Sequence, residues 1–232
     1  MEDNALVLGI DTCGPSGSVA LGRCTGRAVE VLGETALEGR KYSATLTTAI
    51  AHLLEQAGER LDALRGIVVV HGPGSFTGVR VGVSTAKGLA DGLQIPVASL
   101  SRLLALAAKA STDSAALDAH RSELYLRVAQ PGELTRELLA GVEELAAVQP
   151  APERVAVCDE GAALLLSAAW PATELVHVAA PLASDALALG IPLLVAGDSV
   201  EVALLDGHYL RRSDAEIFGE KAAAGETASA AE

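Results

Sequence analysis

The stretch that most restricts the fold is Val68-Val69-Val70-His71-Gly72-Pro73-Gly74-Ser75-Phe76-Thr77-Gly78-Val79-Arg80-Val81-Gly82, which runs on to Ala90. Ile67 to Val70 is a continuous β-branched run, the pattern of a strand covered on both faces. Gly72-Pro73-Gly74 ends it, because Pro73 has no N–H to donate and glycine accepts a positive φ. Ser75 or Thr77 then caps a helix by accepting a hydrogen bond from its first-turn N–H groups. Two phosphate-loop patterns fail here on spacing. A Walker A loop needs Lys-Ser/Thr after its last glycine, but Gly78 is followed by Val79-Arg80; for the dinucleotide fingerprint, Gly72, Gly74 and Gly78 are one residue too widely spaced. A glycine loop at a helix start still holds an anion through backbone N–H groups. It equally serves only to turn the chain and pack it closely, and spacing alone leaves both open.

Around this unit the chain has 232 residues, 50% of them apolar, enough to bury a core in one large or two small domains. Aromatics make up only 3%, so alanine, leucine and valine must fill that core. No apolar run approaches the ~20 residues needed to cross a membrane, and Met1-Glu-Asp-Asn4 lacks the positive region of a secretory signal. Cys13, Cys24 and Cys158 are odd in number and form no C-x-x-C. That pattern fits a reducing, cytoplasmic location and argues against a disulfide framework or a thiolate metal site. Thirty acidic residues against seventeen Lys and Arg give a net charge of −13. A protein that grips RNA alone needs a basic face, so any work on RNA requires a partner to supply the contact.

Periodicity gives the order of elements. Leu6 to Ile10 is a strand, followed by Asp11-Thr12 and a turn through Gly14-Pro15-Ser16-Gly17. Strands follow at Ser18 to Gly22 and within Ala28 to Leu37, then a helix from Ser43 to Ala57, the strand–corner–helix unit, and a strand from Ile95 to Leu100. Three strands, helix, strand, helix, strand is the order of a ribonuclease-H-like unit, the repeated half of the actin-like ATPase (ASKHA) fold. A second such unit follows: Ala116 to Ala119, Glu123 to Ala129 with a turn at Pro131-Gly132, a strand at Val155 to Val157, a helix from Gly161 to Ala169, a strand at Val176 to Val178, and a helix from Asp185 to Leu194 interrupted around Gly190-Ile191-Pro192. The expected class is therefore α/β with two lobes, residues 1–100 and 101–212, and an acidic, disordered tail over 213–232.

The wording of the motif adds a resemblance. Gly72-Pro-Gly-Ser-Phe-Thr-Gly-Val-Arg80, continuing Val-Gly-Val-Ser-Thr-Ala-Lys-Gly-Leu89, resembles the signature of the TsaB (YeaZ) family. Matching wording recurs in Gly9-Ile-Asp-Thr12, Ser18-Val-Ala-Leu21, Leu117-Asp-Ala-His-Arg-Ser-Glu-Leu-Tyr125 and Tyr209-Leu-Arg211, so that it spans roughly residues 5 to 212. Members of that family are non-catalytic subunits of the complex that makes N6-threonylcarbamoyladenosine in tRNA, and they have the actin-like fold. The resemblance implies a TsaD-like catalytic paralogue as partner, a TsaE-like small ATPase as a further one, a homodimer when alone, and tRNA reached only through the complex. It implies no cofactor of the chain's own, with ATP or ADP and Mg placed at the partner interface.

The family builds that interface from two helices. On the first, Tyr42, Leu46, Ala49, Ile50, Leu53 and Leu54 recur at helical spacing; on the second, Phe76 and Thr77 open the helix, Gly78, Gly82 and Ala86 form a small row, and Val79, Val83 and Ala90 an apolar one. Glycine within a helix costs about 1 kcal/mol relative to alanine, so Gly78 and Gly82 imply that another backbone comes close. The chain's own sheet competes with a partner for these rows. Tyr42 stands where many relatives have a histidine.

For chemistry, Asp11 ends a buried strand where actin-like ATPases keep a carboxylate near nucleotide and magnesium, and Thr12 follows it. A turn aspartate bonding its own backbone explains Asp11 equally well, and Thr12 fits turn support better than phosphate binding. Asp118, in Asp-Ala-His-Arg, reads as structural. The paralogue's H-x-x-x-H metal motif is missing from Ser99 to Leu106, and His52, His71, His120, His177 and His208 form no i,i+4 pair. No G-x-S-x-G elbow is present, and neither Cys13 nor Cys158 has a histidine base nearby in sequence. The rival function is an independent ATPase or small-molecule kinase of the same fold. It would need a glycine-rich loop in the second lobe, where this chain has Asp159-Glu160-Gly161.

Overall fold

The computed structural model describes residues 1–38, 41–130, 132 and 134–211. The expected acidic tail and Gly39-Arg40 lie outside the described residues. The first half of the chain contains β1 (Leu6–Asp11), β2 (Ser16–Thr25), β3 (Ala28–Glu38), α1 (Tyr42–Gln56), β4 (Leu64–Val70), α2 (Phe76–Leu93), β5 (Val97–Leu100) and α3 (Arg102–Lys109). The second repeats the order with β6 (Ser114–Asp118), β7 (Leu124–Val128), β8 (Arg136–Ala140), α4 (Val142–Ala147), β9 (Arg154–Val157), α5 (Glu160–Ala169), β10 (Glu174–His177) and α6 (Ala183–Ala196).

Each half forms one five-stranded mixed sheet, ordered β3-β2-β1-β4-β5 and β8-β7-β6-β9-β10. In both sheets the first three strands are antiparallel neighbours, and the last two join in parallel. Sequence and sheet order thus repeat together, which is the two-lobed duplication expected of the actin-like fold. β1 is buried at every residue because helices cover both of its faces. Gly9 looks toward the start of α6, whereas its neighbour Ile10 looks toward Gly82 of α2.

The lobe boundary differs from the expected 1–100 and 101–212. Helix α3 leaves the first sheet and packs Leu103, Leu106 and Ala107 with Ala115, Leu117 and Ala156 of the second. Helix α6 does the reverse: Ala183, Ala186, Leu187, Ile191 and Leu194 belong to the first lobe's core, together with Leu205 beyond it. Its first-turn N–H groups are met by first-lobe side chains. Ala183 N–H donates to Ser18 Oγ at 2.7 Å and Ser184 N–H to Glu34 Oε1 at 3.1 Å. Each half therefore ends in a helix that serves the other lobe.

Helix α6 also runs through Pro192 instead of breaking near it. An interior proline costs roughly 3 kcal/mol, but each buried Leu or Ile side chain contributes about 1.5–3 kcal/mol, and Leu187, Ile191 and Leu194 together outweigh the loss. The segment 197–211 then straps the lobes together. Val200 N–H donates to Val97 O, and Lys87 Nζ donates to the carbonyls of Ala203 and Leu205. Near its end His208 N–H donates to His71 O at 2.7 Å, and Arg211 pairs with Glu123 of the second lobe.

Candidate functional site

Between the lobes lies a cleft of about 840 Å³, lined on the first-lobe side by Cys13 to Ser16, Pro73 to Phe76 and Arg102. The second-lobe wall includes Leu117 to Arg121, Tyr125 and Asp159, and the strap supplies His208 to Arg211. Three helices begin here. Ser75 caps α2 through Gly78 N–H, Asp159 caps α5 through Ala162 N–H, and Arg102 is the first residue of α3, behind the cap Ser101. Their positive dipole ends meet at one place.

Asp11 is fully buried. Its Oδ1 accepts the Cys13 N–H at 2.8 Å, the turn chemistry foreseen for it, and its Oδ2 faces Arg102 Nε at 3.4 Å. The carboxylate thus serves the chain itself and presents no oxygen to the cleft. Thr12 is buried too, and its hydroxyl donates to Gly78 O at 2.7 Å across the foot of α2. Burial and the Asp11 charge push the Cys13 thiol well above its usual range, so it is an inert packing group that donates to Val70 O. Asp118 repeats the Asp11 turn, accepting the His120 N–H at 2.7 Å.

The glycine rows of α2 do mark a close backbone, and it is the chain's own. A Cβ at Gly78 would fall 2.0 Å from Thr12 O, and one at Gly82 would fall 2.3 Å from Thr12 Oγ1. Val79, Val83, Ala86 and Ala90 of α2 are buried with them, as are Tyr42, Leu46, Ala49, Ile50, Leu53 and Leu54 of α1. These residues face the first sheet and are corrected here from partner contacts to core. Tyr42 points inward, its hydroxyl donating to Gly14 O at 2.9 Å. Of the residues expected at the interface, only Phe76 and Thr77 are exposed; the Phe76 ring lies 5.1 Å from that of Tyr209, and the Arg80 guanidinium sits 3.8 Å over it.

The free side of this helix pair is different in kind. On α1, Ser43, Ala44, Thr47, Thr48 and Ala51 are exposed, and on α2, Ser84 and Gly88, which lie between the exposed charges of Arg80 and Asp91. No charge interrupts the α1 face over nine residues, in a chain of net charge −13.

A second cluster was not visible in the sequence. Glu137 of β8 accepts from Ser101 Oγ at 2.7 Å, from Arg127 Nη1 at 3.0 Å and pairs with His208 Nε2 at 2.9 Å, uniting two strands, a helix cap and the strap. Burial alone would raise its carboxyl, but these donors outweigh it and hold the group below its ordinary range. His71 packs edge-on against His208 at 5.5 Å, and burial, helped by His208, lowers it to about 4. No periodic signal points to residues brought together from five separate segments. Among the described residues no group of three or more His, Cys, Asp or Glu side chains is arranged to hold a metal, and no helix is long and apolar enough to cross a membrane.

Comparison with known proteins agrees with this geometry. A family model described as "TsaD: tRNA N6-adenosine threonylcarbamoyltransferase" matches residues 34–156, more than half of the chain. A crystal structure from Pseudomonas aeruginosa, described as a protein with similarity to peptidase YEAZ, superposes with a TM-score of 0.73 and 29% identity, covering 89% of this chain and 100% of that one. YeaZ from the same organism gives 0.69 and 26% over the same shares. The chain belongs to the TsaB (YeaZ) family. The tRNA threonylcarbamoyladenosine biosynthesis protein TsaB of Haemophilus influenzae is 34% identical over 128 residues, 53% of this chain and 52% of the relative. That of Bacillus subtilis is 39% identical over 90 residues, 37% of this chain and 39% of the relative. The matched segments thus span about half or less of these curated relatives.

Proposed function

We propose that this protein is a non-catalytic subunit of the assembly that forms N6-threonylcarbamoyladenosine in tRNA, and that it docks a TsaD-like catalytic paralogue on the outward face of α1 and α2. The observation that carries the reading is the uncharged face of small side chains from Ser43 to Ala51, beside Ser84 and Gly88. Small residues let a second helix pair approach closely, and interface centres are depleted in charge relative to the rest of a protein's surface. Family membership supplies the class of partner. In this reading tRNA is held by the complex, since a chain of net charge −13 repels phosphates over most of its own surface. A homodimer through the same helices, a TsaE-like ATPase, and ATP or ADP with Mg at the shared interface belong to the same proposal. The rival ATPase or kinase reading draws no support from Asp11, whose oxygens are taken by Cys13 and Arg102.

Light scattering of the chain mixed with its TsaD-like paralogue tests this. We expect a stable mixed species, and we expect the exposed substitutions Thr48→Arg and Ala51→Glu to weaken it by about a hundredfold or more, roughly 3 kcal/mol, without changing the melting temperature. Undiminished association of both variants would move the interface elsewhere.

A further inference from the structure

We propose that the Arg102 guanidinium is the floor of an oxyanion subsite in the interlobe cleft, taking the phosphate or carboxylate of a small organic ligand. The residue is only 5% exposed. A guanidinium carries five N–H donors, yet among the described residues only its Nε–H meets an acceptor, Asp11 Oδ2 at 3.4 Å. That distance is long for such a bond. The outer edge, Nη1 and Nη2, meets none, although it lies at the wall of the cleft. Among the described residues the only buried side-chain polar atom without a partner is Arg127 Nε, so this edge of Arg102 is open to the water of the cleft and can exchange it for a ligand's oxygens.

Room for this edge is built into the chain. A Cβ at Gly14 would stand 2.3 Å from Arg102 Nη2, so glycine there leaves the guanidinium its place beside the Cys13–Ser16 turn. Asp11 balances the positive charge but turns its other oxygen to Cys13 N–H. What remains is therefore the paired-donor geometry of Nη1 and Nη2, which suits the two oxygens of a carboxylate or phosphate. The N-termini of α2, α3 and α5 add partial positive charge at the same cleft. Two carboxylates also line it, and both are engaged: Asp118 Oδ1 accepts His120 N–H, and Asp159 accepts Ala162 N–H at 2.7 Å and Asp118 N–H at 3.1 Å. A cleft of about 840 Å³ is of small-molecule size, and Pro15, Leu117, Ala119 and Tyr125 offer apolar wall to the ligand's body.

The test uses the full chain alone and does not depend on any partner. Inorganic phosphate and malonate are each titrated at constant ionic strength, with chloride as control, following calorimetric heats and the side-chain nitrogen resonances of labelled arginine. We expect saturable one-site binding by at least one probe, a shift of the Arg102 resonances, and about tenfold or greater loss of affinity in Arg102→Lys, which cannot pair two oxygens from one planar fork. Arg80→Lys, on the exposed side of Phe76, should leave affinity unchanged. Preference for phosphate assigns a phosphoester ligand, and preference for malonate an organic acid. If Arg102→Lys does not fold, the wild-type resonances decide: a saturable shift supports the subsite and its absence overturns it. Binding by neither probe, or binding that Arg102→Lys leaves intact, overturns it as well.

Discussion

Single residues here act through the backbone they touch. Gly82 would gain helix propensity as alanine, about 1 kcal/mol, but its new methyl would sit 2.3 Å from Thr12 Oγ1, a hydroxyl already bound to Gly78 O. Overpacking of this kind costs about 1–3 kcal/mol. Gly82→Ala is therefore expected to lower the denaturation midpoint, and Gly82→Leu to prevent folding, so neither reports on partner binding. Urea titration of Gly82→Ala checks this, and a raised midpoint would show that α2 can shift away from β1. His71 sets a pH dependence. Its folded value is about 4 against an ordinary 6.5, so as pH falls below 6.5 the unfolded chain takes up a proton that the folded chain refuses. Stability is full above about 6.5 and is lost progressively toward 4, by up to about 3 kcal/mol. Glu137, held below its ordinary value, adds loss of the same sign at the acid end of that window. Denaturation at pH 7.5 and 5.0 should show the difference, and His71→Phe should reduce it; an equal pH effect in that variant would assign it to other groups.

Elements show where sequence patterns carry information and where they stop. The α1 and α2 rows follow helical spacing faithfully, and every apolar member from Leu46 to Leu54 is buried. Spacing says that a row is buried without saying by what, and here the burying surface is the chain's own sheet. The face that remains for a partner is marked by missing charge rather than by apolar residues, a weaker signal. Asp11 was legible as a turn residue, because an Asx turn is a contact over two positions. Its bond to Arg102 spans 91 positions and has no local trace beyond one arginine opening a helix that is then apolar up to Lys109. Strand β8, at Arg136–Ala140, escaped the sequence reading because Arg-Glu-Leu-Leu-Ala holds no β-branched residue, and helices α3 and α4, of eight and six residues, are too short to show a helical period.

At the scale of the molecule, the exchange of α3 and α6 makes the lobes interdependent. Residues 1–100 lack α6, so Val7, Ala20 and Val68, which share the face of the first sheet that α6 covers, would lose part of the cover that makes them fully buried. A fragment of residues 1–100 is expected to be insoluble or loosely packed, and the described chain to unfold in one cooperative calorimetric transition. Two resolved transitions, or a folded fragment, would show that each lobe stands alone.

Local chemistry was enough to determine much of this protein: the order of most strands and of the longer helices, their repetition, the Ser75 cap, the Asp11 turn, the acidic surface and the motifs of the family. Those features depend on neighbours a few positions apart, where spacing and residue type act directly. Tertiary structure alone decided which sheet each terminal helix covers, whose backbone fills the space beside Gly78 and Gly82, and how Arg102 meets Asp11 and Glu137 meets His208. Such contacts close loops of tens of residues, and the shape fit that selects among them exists only once both surfaces are formed.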